Sequence, residues 1–317
     1  MITFDGVEAV PADWRASVVT IGKFDGVHAG HRAVIREMLT LAEREGLASV
    51  VITFDRNPLA LLRPEACPEA LLSVDQKLEL LGGTGIDATL LMTFDERFAA
   101  QSPEEFVQRD LVDSLHARHV FVGSDFRFGA RGAGTLDLLR DLGRDNGFEV
   151  HIIGDVRPDG QRRVSSTWIR ELLDAGDVSA AGKLLGHIPA VRGEVVHGAA
   201  RGRELGFPTA NLSAESEGLI PSDGVYAGYL VDAGVRYPAA ISVGDNPTFE
   251  GVPQRQVEAY VIDEDIDLYG HVVSVEFCNR IRGMVAFTGI DALIEKIAAD
   301  VERARELLAV PAVQDPN

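Results

Sequence analysis

Two hydrophobic patterns follow one another along this chain, and their succession limits its fold more than any other feature. In the first half, short and nearly continuous apolar runs at 17–22, 48–54, 88–93, 119–122 and 149–153 alternate with segments of helical spacing. Val34, Ile35, Met38, Leu39 and Ala42 recur at that spacing after the first run, and similar patterns lie around 75–82, 103–116 and 135–146. Strands apolar on both faces, separated by amphipathic helices, predict an α/β arrangement: a parallel sheet with helices on both faces. Near residue 187 the helices drop out. Runs at 191–196, 224–231, 236–243, 256–262 and 272–277 are β-rich and broken by Gly, Pro, Asp and Asn, which predicts an antiparallel barrel or sandwich. A terminal helix is expected over about 290–308, where Leu293, Ile297, Val301, Ala304 and Leu308 make an apolar stripe. The tail 311–317 is expected to fray.

The 317 residues suffice for two domains, placed by the change of pattern at 1–186 and 187–317. A formal net charge of -19 argues against nonspecific binding of nucleic acid or an anionic membrane, whose phosphates would be repelled. Small anionic substrates stay open, because a local pocket can oppose the global field. Cys67 and Cys278 stand far apart with no C-x-x-C, so neither a disulfide framework nor a cysteine zinc cage is expected, and a reducing cytoplasm is the simplest setting. The first residues lack the basic region and apolar core of a signal peptide, and no apolar run reaches membrane-spanning length.

Residues 22–31 (GKFDGVHAGH) join the first strand to the first helix, so Gly22, Phe24, Asp25, His28, Gly30 and His31 lie where ligands bind in such folds. A helix N-terminus and glycine-freed amides there favour phosphate oxygens, to which imidazole adds a proton donor or a charge. A histidine pair at this spacing equally serves as a helix cap or satisfies a core carbonyl. No cysteine or third histidine stands at a spacing that would make the pair a zinc site. Residues 123–129 (GSDFRFG) follow the run ending at Val122 and make either a ligand turn or a plain flexible loop. Phe126 and Phe128 alternate about Arg127, so that one can stack on a ligand ring while the other enters the core. Ser165, Ser166 and Thr167 precede a helix over 168–173; they and Arg170 suit either N-capping or a polyphosphate.

In the second half, Thr209 and Asn211 of residues 206–211 (GFPTAN) point to one face of an extended segment. Their oxygens suit Mg²⁺ with nucleotide phosphates, although Pro, Thr and Asn are also turn formers. Glu258 stands in a β-run on the face opposite Val257. That face meets either solvent, the usual outcome, or a pocket where the carboxylate could take a proton from an attacking hydroxyl.

Taken in order, these segments resemble the bifunctional prokaryotic riboflavin kinase/FMN adenylyltransferase (FAD synthetase) family over nearly the whole chain. Residues 22–31, 123–129 and 165–170 (SSTWIR) match its adenylyltransferase motifs, and 206–211, 224–227 (GVYA), 242–249 (SVGDNPTF) and Val257-Glu258 match its kinase half. The resemblance implies a Rossmann-like nucleotidyltransferase domain followed by a β-barrel riboflavin kinase domain. It implies ATP-dependent conversion of riboflavin to FMN in the second domain, then adenylyl transfer from ATP to FMN in the first, giving FAD and pyrophosphate. Glu258 would be the kinase base, with Thr209 and Asn211 on Mg²⁺ and the phosphates beside Gly206 and Pro208. His28 and His31 would stabilise the polyphosphate, and Ser166 and Arg170 would grip it from the other side. Gly22, Phe24, Asp25, Gly30, Asp125, Phe126, Phe128, Ser165 and Thr167 would complete the substrate contacts.

Three positions depart from the family pattern. Arg56 and Asn57 stand where a Pro-His pair is frequent, and Asn57 is kept as a ligand contact because its amide donates and accepts hydrogen bonds. Asp245 adds a negative charge where a neutral residue is common. No acidic residue follows Met284, which bears on closure of a flap over flavin. The rival readings are a single-activity nucleotidyltransferase of the same superfamily, against which the 206–211 segment argues, and a flavin-binding regulatory protein with one activity lost. Self-association is left open.

Overall fold

Packing divides the chain into two units, Met1–Ser165 and Ser166–Asn317. The structure, a computed structural model, describes residues 1–158, 160, 162–198, 205–245, 255–285 and 289–309. The expected tail, residues 246–249 of the 242–249 motif and residues 286–287 shortly after Met284 lie outside the described residues, as does the side chain of Asp245.

In the first unit, β1 (Ile2–Asp5), β2 (Ser17–Ile21), β3 (Ala48–Phe54), β4 (Ala88–Met92), β5 (Ala117–Gly123) and β6 (Glu149–Ile153) form one sheet. Its order is β1-β4-β3-β2-β5-β6, and every pairing is parallel. The edge strand β1 buries only Phe4, so it has no apolar run to announce it. Helices α1 (Ala29–Glu45), α2 (Pro58–Leu62), α3 (Val74–Gly82), α4 (Glu96–Ala100), α5 (Pro103–Glu105) and α6 (Leu136–Asn146) connect the strands, and α5 runs on into a π-helical stretch, Phe106–Ser114.

Successive residues of one strand enter different cores. Val19, Val50 and Leu90 pack with Phe106, Leu111 and Leu139 on one face. Val18 and Val51 pack with Ile35, Met38 and Leu81 on the other. Burial on both sides is why the strands read as continuous apolar runs. From β2 the chain builds outward through β3 and β4, then returns across the sheet to β5 and builds outward to β6. The connections therefore leave β2 and β5 in opposite directions, which opens a crevice at the carboxyl ends of these two strands.

The second unit begins with α7 (Ser166–Asp174) and α8 (Val178–Leu185). Its strands β7 (Ala190–Val196), β8 (Ala210–Leu212), β9 (Gly224–Asp232), β10 (Val235–Asp245), β11 (Arg255–Val261) and β12 (Val272–Arg282) close a barrel in the order β10-β11-β8-β7-β12-β9. Every pairing in it is antiparallel. Of the two arrangements the sequence allows, it is thus the closed barrel, which leaves no free sheet edge. Helix α9 (Ile290–Ala309) lays Ile297, Val301, Ala304 and Leu308 on the outward-facing Ala227, Ala240, Tyr260 and Ile281. Arg282 clamps this helix, donating through Nε to Asp300 Oδ1 and Oδ2 at 3.1 and 2.9 Å.

The break in packing comes earlier than the break in sequence pattern. Residues 166–186, which the pattern assigns to the first domain, pack with the barrel: Ser222 N–H donates to Leu173 O at 3.0 Å, and Arg280 Nη1 to Ala175 O at 2.9 Å. An amphipathic helix pair shows that it must pack on something, not on which neighbour.

At Gly228 the strands β9 and β12 approach so closely that a Cβ would collide with the Glu276 carbonyl and come within 2.7 Å of Ile241 Cδ1. Overpacking costs about 1–3 kcal/mol, and more where backbone must move. Gly228→Ala is therefore expected to lower the denaturation midpoint sharply in urea unfolding followed by circular dichroism. Asp300→Ala removes the buried carboxylate that pairs with the mostly buried Arg282 and is expected to cost about 3 kcal/mol in the same measurement.

Candidate functional site

The loop from β2 to α1 enters the crevice in a strained conformation. Phe24 and Val27 hold φ of 49° and 39°, and for a β-branched residue such a backbone is a clear outlier costing about 1–3 kcal/mol. Both side chains are buried in the α1 face of the core, so packing over-determines the strain. Thr53 Oγ1 donates to Lys23 O at 3.1 Å, and Asp25 Oδ1 accepts from Leu71 N–H at 2.9 Å. Asp25 thus ties a neighbouring segment to the loop.

His28 is the N-cap of α1, its Nδ1 accepting from His31 N–H at 3.4 Å, which places the ring proton on Nε2. The two imidazoles stack with centroids 3.7 Å apart and 13° between planes, and Phe24 lies 4.9 Å from His31 on centroids. A Cβ on Gly30 would press on the His28 ring at 3.1 Å, so glycine there leaves the ring its place. Burial, then His28, Lys23 and Lys77, push the His31 pKa well below the ordinary histidine value. His31 is therefore neutral at pH 7 without a ligand. Its Nδ1 is buried with no hydrogen-bond partner among the described residues, a state costing about 1–3 kcal/mol that an incoming polar ligand would offset.

Lys77 was not anticipated from the sequence. It sits on the buried side of α3, donates through Nζ to Phe54 O at 2.6 Å and keeps a cation close enough to act on His31. Burial lowers its own pKa, opposed by Asp25 and Asp55. A lysine at an inward position of an amphipathic helix was the available signal.

Asn57 caps α2, its Oδ1 accepting from Leu59 N–H at 3.1 Å, so what it offers a ligand is chiefly its amide hydrogens. Past β5, Asp125 pairs with Arg163 at 2.9 Å. Phe128 is buried and Phe126 half-buried, with rings parallel and 5.6 Å apart. A Cβ on Gly134 would lie 2.5–2.7 Å from atoms of the Phe128 ring, so the glycines after this turn make room for the aromatic. Ring contacts continue from Phe128 to Phe106, Phe98, Phe94 and Phe54 at 5.5–6.2 Å, an aromatic wall below the carboxyl ends of β3 and β4. Beside it, a cleft of about 700 Å³ is lined by Asp5, Thr93, Arg97, Phe98 and Arg109 among others. Its lining comes from separate segments, so no local motif marked it. Gly22 opens the crevice loop, Gly30 stands in the first turn of α1, and Ser165 ends the first unit; Ser166, Thr167 and Arg170 stand on α7 in the second.

In the barrel, β8 pairs with β11 so that Asn211 lies beside Glu258. Thr209 Oγ1 donates to Glu258 Oε2 at 3.4 Å, and Asn211 Nδ2 donates to Thr209 O and Oγ1 at 3.1 and 3.3 Å. Glu258 is half-buried on the outer face of the barrel, while Val257 and Ala259 fill the interior. A Cβ on Gly198 would fall 2.6 Å from the Asn211 amide, so the missing side chain provides the space that amide occupies. Gly206, at φ 87°, and the exposed Pro208 form the turn leading in. Hydroxyl, amide and carboxylate oxygens converge here from positions 49 residues apart. They form a hard-oxygen donor set suited to Mg²⁺.

The FAD synthetase family model matches residues 10–168, and the riboflavin kinase model matches residues 185–308. The chain is 36% identical to a bifunctional riboflavin kinase/FMN adenylyltransferase of Pseudomonas fluorescens, over 96% of this chain and 97% of the relative. It is 37% identical to the corresponding protein of Escherichia coli, over 94% and 95%. A crystal structure described as a macrolide-efflux protein from Streptococcus pneumoniae superposes with a TM-score of 0.86 at 33% identity, over 96% of this chain and 98% of that one. No helix among the described residues is long and apolar enough to cross a membrane. With both family models matched in order and relatives alike over nearly their full length, the chain belongs to the bifunctional riboflavin kinase/FMN adenylyltransferase family.

Proposed function

We propose that the two reactions of this family are divided between the crevice of the first unit and the outer barrel face of the second, with the residues acting as follows. In the barrel, the riboflavin 5′-hydroxyl attacks the γ-phosphorus of ATP, giving FMN and ADP. Glu258 takes the hydroxyl proton, and Thr209 orients the carboxylate through the 3.4 Å hydrogen bond, which is the observation that carries this reading. Thr209 and Asn211 would hold Mg²⁺ through their side-chain oxygens. When bound, the ion neutralises phosphate charge. Gly206 and Pro208 shape the turn that brings Thr209 to the site.

In the crevice, an FMN phosphate oxygen attacks the α-phosphorus of a second ATP and pyrophosphate leaves, so catalysis rests on positioning and charge neutralisation. His28 donates through Nε2 and His31 through its ring toward the polyphosphate, with the α1 N-terminus and the Lys77 charge behind them. The stacked rings disfavour two adjacent cations, so His31 gains its proton only when phosphate charge arrives. Gly22, Phe24, Gly30 and Asp25 hold the loop, and Asn57, Asp125, Phe126 and Phe128 border the carboxyl ends of the neighbouring strands. The cleft beside Phe98 has the size for a flavin ring. The hydroxyls of Ser165, Ser166 and Thr167 and the Arg170 guanidinium suit phosphate by their chemistry. We place the functional boundary near residue 186 and the enzyme in the cytoplasm, where unpaired Cys67 and Cys278 persist. Burial pushes the Cys278 thiol up to about 11, which keeps it inert.

Incubation with riboflavin, ATP and Mg²⁺, with FMN and FAD resolved by chromatography, tests the division. Glu258→Ala is expected to lose FMN formation by about 10²–10⁴-fold while FAD still forms from supplied FMN. Equal loss of both would refute separate sites. His31→Ala is expected to do the reverse, lowering FAD formation by about 10²–10³-fold with FMN formation retained.

The depressed His31 pKa sets a further expectation. Triphosphate charge raises that pKa, so binding takes up protons between the lowered and raised values, and uptake vanishes at higher pH where His31 stays neutral in both states. ATP titrations by calorimetry in buffers of different ionisation enthalpy, near about pH 6.5, should show this uptake in the wild type and less in His31→Gln. Identical uptake in both would remove His31 from the polyphosphate site.

A further inference from the structure

The amino ends of β5 and β6, at the other end of the sheet from the crevice, carry a cluster that neither reaction uses. The parallel register sets His119 beside Glu149, and His151 follows two residues along β6 on the same face. His119 Nδ1 lies 3.1 Å from His151 Nε2, and Glu149 Oε2 lies 3.6 Å from the first and 3.9 Å from the second. Donor atoms at about 2.0–2.2 Å from a tetrahedral Zn²⁺ stand about 3.3–3.5 Å apart, so this triangle needs only small adjustments to surround an ion.

The surroundings favour ligation. His119 Nε2 is 2.8 Å from Glu45 Oε2 at the end of α1, which keeps a proton on Nε2 and turns the Nδ1 lone pair into the triangle. A carboxylate on the far nitrogen commonly supports a metal-binding imidazole in this way. Phe121 stacks on His151 at 4.5 Å and 19°, fixing the plane of that ring. The His119 side chain is 11% exposed and that of Glu149 75%, so the cluster is closed toward the protein and open to an ion and its water ligands.

We propose that His119, Glu149 and His151 bind Zn²⁺ or a similar late first-row divalent cation, with Glu45 orienting His119. Two imidazoles and one carboxylate suit such an ion better than Mg²⁺. The competing arrangement is a hydrogen bond from His151 Nε2–H to His119 Nδ1 with no metal.

Titration of the chelator-stripped, full-length protein with Co²⁺ separates the two. One equivalent giving visible d–d absorption, displaced by Zn²⁺ and accompanied by a higher thermal transition, is expected. Glu149→Gln should weaken binding by about tenfold or more, His151→Ala should abolish the signal, and Glu45→Gln should cost about 10–100-fold in affinity. Because the Glu149 side chain is exposed, Glu149→Gln tests the site without threatening the fold. Absence of a Co²⁺ signal in the wild type, or equal uptake by wild type, Glu149→Gln and His151→Ala, would overturn the proposal.

Discussion

Burial of β2 on both faces, between β3 and β5, is the constraint on which the first unit depends. Val18 and Val19 are fully buried on opposite sides of the sheet, and the chain reverses its direction of building across this strand. A reversal is what parts the connecting loops and leaves a crevice. The same burial reaches into the loop beyond it, where Phe24 and Val27 hold a backbone that would not persist exposed. Rigidity in the loop from β2 to α1 is thus inherited from the core.

The barrel solves a different problem. Its interior is filled by side chains such as Val257, Ala259, Val275 and Phe277, with Tyr226 packed on Phe277. Glu258 stands instead on the outer face, where alternation puts it and a third element shelters it. The turn carrying Phe207 to Thr209 supplies shelter, with Phe207 packed edge-on to Tyr260 at 5.4 Å.

Electrostatics distinguish the two sites more than composition does. A chain with net charge -19 handles polyanions by keeping cations and dipoles local. Around His31, burial first and then His28, Lys23 and Lys77 hold the imidazole pKa well below its ordinary value. In the barrel site, hydroxyl, amide and carboxylate groups converge instead, with no cationic side chain among the contacts that join them.

The sequence by itself determined the two kinds of architecture, because strand and helix periods of burial are local. It marked residues 22–31 and 206–211 as places of interest for the same reason: glycines, caps and turns act over a few residues. Strand β1 escaped it for want of an apolar run, and the packing of residues 166–186 on the barrel escaped it because packing partners are not written in a local pattern. What only tertiary structure decided were the meetings of distant residues: Thr209 with Glu258, Lys77 with His31, the phenylalanine wall, and His119 with Glu149 and His151. Sheet register and closure of the barrel set those distances, and both depend on how the whole core packs.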